Sequence, residues 1–140
     1  MAGSSYVLAE FSGRHSYQLI RNSVEKMLCA GYRPVIAHIE RYPCLYEKNR
    51  AEELRGIGAY LQINAGSLSA RTAESPGGFC RQLMENDKIH FIASDAHDTK
   101  KRKPNLGKCS EFVLKKMGKD YARKIFCHNP FMVIKNSEIM

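Results

Sequence analysis

No stretch of this sequence stays apolar long enough to cross a bilayer, which argues against a membrane-embedded protein. The opening residues, Met1 to Tyr6, carry neither a basic segment nor a long apolar run, so nothing there reads as a secretory signal. The five cysteines, Cys29, Cys44, Cys80, Cys109 and Cys127, form no Cys-x-x-Cys, and their odd number and scatter argue against a disulfide framework. They read as reduced thiols of a cytoplasmic protein, most of them core filler. There is no internal repeat, no low-complexity tract and no linker, so the 140 residues read as one domain. Acidic residues are scarce: 14 against 22 Lys and Arg, a net charge of +8. That imbalance favours an anionic partner without choosing between a phosphoprotein, a nucleic acid and an acidic surface. What is present is enough for a core, since 44% of the chain is hydrophobic and only 26% charged, which excludes global disorder.

The pattern along the chain alternates between strand and helix. Tyr6 to Phe11 reads as a strand with an acid, Glu10, near its end. Ile20, Val24, Met27 and Leu28 then fall on one helical face from Leu19 onward, and Gly31 stops the helix. Pro34 to His38 is strand-like, Glu47 to Leu54 is rich in helix formers, and Tyr60 to Asn64 is a third strand. Ser75 followed by Pro76 marks a helix start whose buried face is Phe79, Cys80, Leu83 and Met84. Ile89 to Ala93 is a fourth strand, followed by a polar, basic loop to Pro104. Cys109, Phe112, Val113 and Met117 make another helix face, and a last helix from about Asp120 to Cys127 is interrupted at Asn129-Pro130. The order βαβαβαβα predicts an α/β fold with parallel strands and helical crossovers.

In such folds chemistry sits at the carboxyl ends of the strands. Those ends carry Glu10, then His38 with Glu40 and Arg41, then Asn64, then Asp95 with His97. Carboxylates and imidazoles delivered to one edge suit a divalent cation such as Mn²⁺, Zn²⁺ or Fe²⁺. In an extended segment Asp95 and His97 point the same way, so both can reach one site. Arg41 and Arg102 lie in loops on that edge, where a guanidinium can grip a phosphate through paired hydrogen bonds. Metal and arginine together fit phosphate-ester hydrolysis, in which the cation acidifies water and the arginines offset charge on the phosphoryl oxygens.

The segments Tyr6-Val-Leu-Ala-Glu-Phe11, Ala37-His-Ile-Glu-Arg-Tyr-Pro43, Leu61-Gln-Ile-Asn-Ala-Gly-Ser67 and Phe91-Ile-Ala-Ser-Asp-Ala-His97 are long, ordered and correctly spaced. They resemble the bacterial tyrosine-protein phosphatases of the polymerase-and-histidinol-phosphatase (PHP) superfamily, the type encoded with capsule and exopolysaccharide genes. The resemblance runs to Phe126-Cys-His-Asn-Pro130. It implies a (β/α)₇ barrel of which this chain supplies about four successive βα units. It further implies a metal cluster, usually manganese with Fe²⁺ and Zn²⁺ as alternatives, that hydrolyses phosphotyrosine on autophosphorylating tyrosine kinases. By that resemblance Glu10 is a bridging ligand and His38, Asp95 and His97 are further ligands. Asp95 also counts as catalytic, and Arg41 and Arg102 hold the substrate phosphate.

The departures are informative. The family begins with a strand carrying His-x-His, then a Glu and another His, and none of these precedes the region seen here. Residues 1–140 therefore read as a truncated phosphatase domain lacking its N-terminal half. His15 and Ser16 follow Glu10 in the wrong context to replace that pair. Ile39 stands where the family usually has Pro, Ser12-Gly-Arg-His15 replaces an apolar, Pro-containing segment, and Asp98 stands where Asn is common. Four parallel strands cannot close a barrel of seven, so open edges predict self-association and weak catalysis by this chain alone. The alternative is a non-catalytic remnant that binds phosphoproteins or other anions. A nucleic-acid partner is disfavoured, because the basic residues are dispersed and no aromatic platform accompanies them. Cys44-Leu-Tyr-Glu-Lys-Asn-Arg50 matches the Cys-x₅-Arg loop of cysteine-dependent phosphatases. It lacks the glycines such a loop needs and places Glu47 inside it, so Cys44 reads as filler at a helix start.

Overall fold

A computed structural model describes residues 1, 3–69, 75–100 and 103–139. Four strands form one sheet in the order in which they occur: β1 (Tyr6–Ala9), β2 (Arg33–Ile36), β3 (Tyr60–Asn64) and β4 (Phe91–Ala93). All three pairings are parallel, with Leu8 beside Val35, Ile36 beside Leu61 and Asn64 beside Ala93. The strand order never reverses, so the sheet has no switch point of the doubly wound kind and has the progression of a barrel wall.

The crossovers are α1 (Tyr17–Cys29), α2 (Arg50–Gly56) and α3 (Pro76–Glu85). Helix α1 starts where the Ser16 hydroxyl accepts the Leu19 amide at 3.3 Å, two residues before the apolar periodicity becomes visible. It ends at Cys29, and Gly31 just beyond the cap turns the chain away with a φ of +79° that suits glycine. Helix α3 begins as the sequence predicts, with Ser75 accepting the Gly78 amide and Pro76 in the first turn. Between β2 and α2 the chain makes two 3-10 turns, Ile39–Arg41 and Pro43–Leu45, and α2 itself begins at Arg50 rather than Glu47. The main core lies between the sheet and these helices. It joins Ile36, Leu61, Ile63 and Ile92 from the strands to Ile20, Val24, Leu54, Cys80 and Met84 from the helices.

The C-terminal region corrects one expectation. The helix does not stop at Asn129-Pro130. After α4 (Leu106–Met117) and a break at Gly118, α5 (Lys119–Arg123), a π-helical turn (Lys124–His128) and α6 (Asn129–Ile134) follow one another without interruption. Pro130 removes a donor and would crowd the carbonyl four residues back in an ordinary α-helix. The π turn just before it widens the ladder where the ring must fit.

That last helix crosses beneath the other face of the sheet. Val133 and Ile139 pack on Tyr6, Val35 and Tyr60, and fully buried Asn129 donates to the His90 carbonyl at 2.8 Å. The Tyr6 hydroxyl donates to the Ser137 carbonyl at 2.7 Å, and Arg33 donates to the Asn136 carbonyl at 2.8 Å. One end of this face is thereby covered, while the carboxyl end stays open. Among the described residues no helix is long and apolar enough to cross a membrane.

Candidate functional site

The open end holds a cavity of about 310 Å³. Leu8, Val35 and Phe91 form apolar walls, and Glu10, His38, Gln62, Asn64 and Asp95 bring polar atoms to its mouth. The expected convergence of strand ends is therefore observed for Glu10, His38, Asn64 and Asp95. Asn64 reaches the cavity from the last position of β3, and the other three from just beyond their strands. Glu10 lies one residue past β1, while His38 and Asp95 take left-handed backbones with φ of +35° and +52°.

His38 is buried and its ring is fixed from behind. Its Nδ1 lies 3.2 Å from the Tyr42 hydroxyl, and its Nε2 lies 3.5 Å from Glu10 Oε1. The Tyr42 hydroxyl also accepts the Phe11 amide at 3.0 Å, so one phenol positions the histidine and the segment that carries Glu10. Burial pushes the Tyr42 pKa up, which keeps that phenol protonated. The backbone amide of His38 donates to Gln62 Oε1 at 2.7 Å, and Gln62 in turn donates to Asn64 Oδ1 at 3.1 Å.

Asp95 is the meeting point of the other half. Its Oδ2 accepts from Arg41 at 2.7 Å and from Asn64 at 3.2 Å. His97 comes to it by a different route from the one its spacing suggests. The backbone at Asp95 is left-handed rather than extended, and the His97 ring folds back so that Nδ1 lies 2.8 Å from the Asp95 carbonyl and 3.7 Å from Oδ1. His97 thus accompanies Asp95 without lining the cavity. Arg102 lies outside the described residues. His15 is engaged locally, its Nδ1 accepting the Ser12 amide at 3.3 Å.

The donors fit a divalent cation in chemistry and partly in geometry. Two ligands about 2.1 Å from a common ion at a tetrahedral angle stand roughly 3.4 Å apart, close to the Glu10 and His38 separation. A histidine held at Nδ1 by an oxygen and presenting Nε2 is the usual form of a metal ligand. Among the described residues no group of three His, Cys, Asp or Glu side chains is close enough to hold an ion by itself. Glu10 with His38 and Asp95 with His97 are two pairs, and either needs further ligands.

Three contributors were not assigned from sequence. Tyr42 and Gln62 act through backbone and ring contacts that only the fold creates. Glu40 stands near a strand end, where its residue type alone specifies no role. Its buried carboxylate accepts the Asn64 amide at 3.1 Å and the Ser67 hydroxyl at 2.7 Å through one oxygen, tying the end of β2 to the turn after β3. The other oxygen, Oε2, is buried without a partner among the described residues. Cys44 conforms to its filler assignment. It is partly buried against the core, and burial raises its thiol pKa, the opposite of what a nucleophile needs. Arg50 donates to the Cys44 carbonyl and pairs with Glu47. All five cysteines are free.

A family model described as capsular polysaccharide synthesis, CpsB/CapC, matches residues 1–135. Over 97% of this chain the sequence is 35% identical to the tyrosine-protein phosphatase CpsB of Streptococcus pneumoniae, covering 58% of that protein. It is 30% identical to the tyrosine-protein phosphatase YwqE of Bacillus subtilis, covering 51% of it. Crystal structures of YwqE and of the S. pneumoniae CpsB, described as unique metal-dependent tyrosine phosphatases, include a chain that matches with a TM-score of 0.85 at 30% identity. That match spans 98% of this chain and 56% of the other. The chain thus spans little more than half the length of the relatives it matches.

Proposed function

The chain belongs to the CpsB/CapC family of capsular polysaccharide synthesis, and from that premise we propose that residues 1–140 correspond to about the C-terminal half of a metal-dependent protein-tyrosine phosphatase domain. The observation that carries this reading is the sharing of one cavity by Glu10, His38 and Asp95, with Arg41 bound to Asp95 at its edge. Glu10, His38 and Asp95 are the cavity residues to hold the cation, with His97 as a further ligand beside Asp95, and manganese suits a set of carboxylates and imidazoles. When bound, the cation supplies Lewis acidity at the phosphoryl group.

The remaining work belongs to side chains. Arg41 is half exposed and can turn from Asp95 to the phosphate, gripping it with two parallel hydrogen bonds. Arg102 is the second candidate for that role. Tyr42 holds the His38 ring so that Nε2 faces the cavity. Leu8, Val35 and Phe91 offer an apolar wall to a tyrosyl ring, which a phosphoserine side chain would leave unfilled. The substrate is a phosphotyrosine protein, with a bacterial tyrosine kinase in the cytoplasm as the partner.

The test is an assay of a phosphotyrosine peptide with added Mn²⁺, using the chain alone and the chain supplemented with the N-terminal segment of a relative. The supplemented form should turn over, should stop on chelation, and should lose at least a hundredfold on His38→Ala. Activity indifferent to both treatments would remove the metal mechanism. The absence of a three-ligand group among the described residues favours a second reading, an anion-binding protein without turnover. Binding of phosphotyrosine with no turnover in the supplemented form would establish that alternative.

A further inference from the structure

A second cavity, of about 380 Å³, lies between α3, α4 and the 3-10 turn Ala65–Ser69 that follows β3. The second cavity is built from three elements and has a definite polarity. Arg81 comes from α3, Asn105 and Lys108 from the start of α4 and Phe112 from its middle, with Gly66 and Leu68 from the turn. Two of these side chains, Arg81 and Lys108, are cations, and among the described residues that line the space there is no carboxylate.

The backbone adds to the same field. Asn105 occupies the N-cap position of α4 without capping it, and no acidic residue stands in the first turn. The amide groups and the positive end of a 12-residue helix dipole therefore act in the same direction as Arg81 and Lys108. Opposite lies Gly66, where a Cβ would come within 3.3 Å of the Asn105 amide nitrogen. Buried Leu68 and the partly exposed ring of Phe112 make the wall apolar. A space that is cationic at one end and apolar along its side matches an anion with an aromatic body better than a small inorganic ion.

We propose that this cavity is an accessory subsite for an aryl phosphate monoester. Resting on the function proposed above, the ligand is either a second phosphotyrosyl side chain on the segment whose first phosphate is held at Arg41, or free phosphotyrosine. The subsite itself needs no cation and no turnover.

The experiment is a nuclear magnetic resonance titration of the ¹⁵N-labelled chain in excess chelator, with phenyl phosphate as the probe. Saturable shifts are expected at the amides of Gly66, Gly107 and Lys108. Lys108→Gln should weaken binding about fivefold, and Gly66→Ala should weaken it by narrowing the space, whereas Arg41→Gln should leave it unchanged. Lys108 is exposed, so its replacement does not threaten the fold. Inorganic phosphate should bind more weakly than phenyl phosphate. Shifts confined to Glu10 through Arg41, indifference to Lys108→Gln, or equal affinity for inorganic phosphate would each overturn the proposal. Doubly phosphorylated peptide binding more tightly than singly phosphorylated peptide, with the gain lost in Lys108→Gln, assigns the second phosphotyrosine as the ligand. Equal binding of the two peptides assigns free phosphotyrosine. Lys108-dependent binding together with a supplemented form that never hydrolyses phosphotyrosine would sink the phosphatase reading and leave the subsite standing.

Discussion

His90 is a base that cannot take up a proton without losing a hydrogen bond. Its Nδ1 accepts the Leu61 amide at 2.9 Å, and burial, helped by Arg55 and Lys124, lowers its pKa to about 4. The unfolded chain holds a histidine near its ordinary value of about 6.5, so between those values it binds more protons than the folded chain. Stability is complete above pH 6.5 and falls as pH drops toward 4, by at most about 3 kcal/mol. Urea midpoints measured from pH 7 to pH 4 should trace that loss, and His90→Asn, which keeps an acceptor but no titration, should flatten it. Tyr42 permits a second test. Tyr42→Phe removes the hydroxyl that orients His38 and receives the Phe11 amide, and calorimetric titration with Mn²⁺ should show affinity about tenfold weaker. At this scale the sequence is readable where a residue acts through its own chemistry. Glu10, His38 and Asp95 announce themselves as ligand types at strand ends. Tyr42 and Gln62 do not, because their roles consist of contacts between segments, and a Gln in an alternating strand carries no sign of the amide it will receive.

Among the elements, β3 and the start of α3 are legible to the residue. Tyr60 to Asn64 is bounded by Gly58 and by the turn at Ala65, and α3 carries its own start signal in Ser75 and Pro76. Ser75→Ala should cost about 1 kcal/mol in chemical denaturation, since the Gly78 amide loses its acceptor. Where boundaries depend on tertiary contacts the sequence says less. Helix α2 begins three residues later than its composition suggests, because Tyr42 to Leu45 is drawn into the core beside Glu40. The continuous helix through Pro130 is the larger surprise. Local rules end a helix before proline, and only the π turn, held by Ile125 in the main core and Asn129 on the His90 carbonyl, lets it pass.

At the scale of the whole molecule the sheet is a barrel wall: among the described residues β1 and β4 each pair on one side only, and Leu8 on the open face is 46% exposed. Such edges and faces associate. Light scattering of the purified chain should give a mass above that of a monomer, increasing with concentration, and Leu8→Lys should move it toward 15.9 kDa. A concentration-independent monomer would show that α6 and the tail after it cover the inner face well enough. The parallel order of the strands is legible from the alternation of patterns. The cover given by residues Met132 to Ile139 is not, because a short apolar segment after a helix has no signature of the surface it will meet.

The left-handed backbones at His38 and Asp95 have a consequence for how this sequence can change over generations. A side chain in that conformation costs on the order of 1 kcal/mol that glycine would not, so both positions tax the stability of the fold. Substitution to glycine at either should raise the melting temperature relative to alanine while abolishing the ligand. A lineage freed from any demand on the cavity would drift in that direction and gain by it. Histidine and aspartate still occupying those two positions are what a lineage under continued demand would keep.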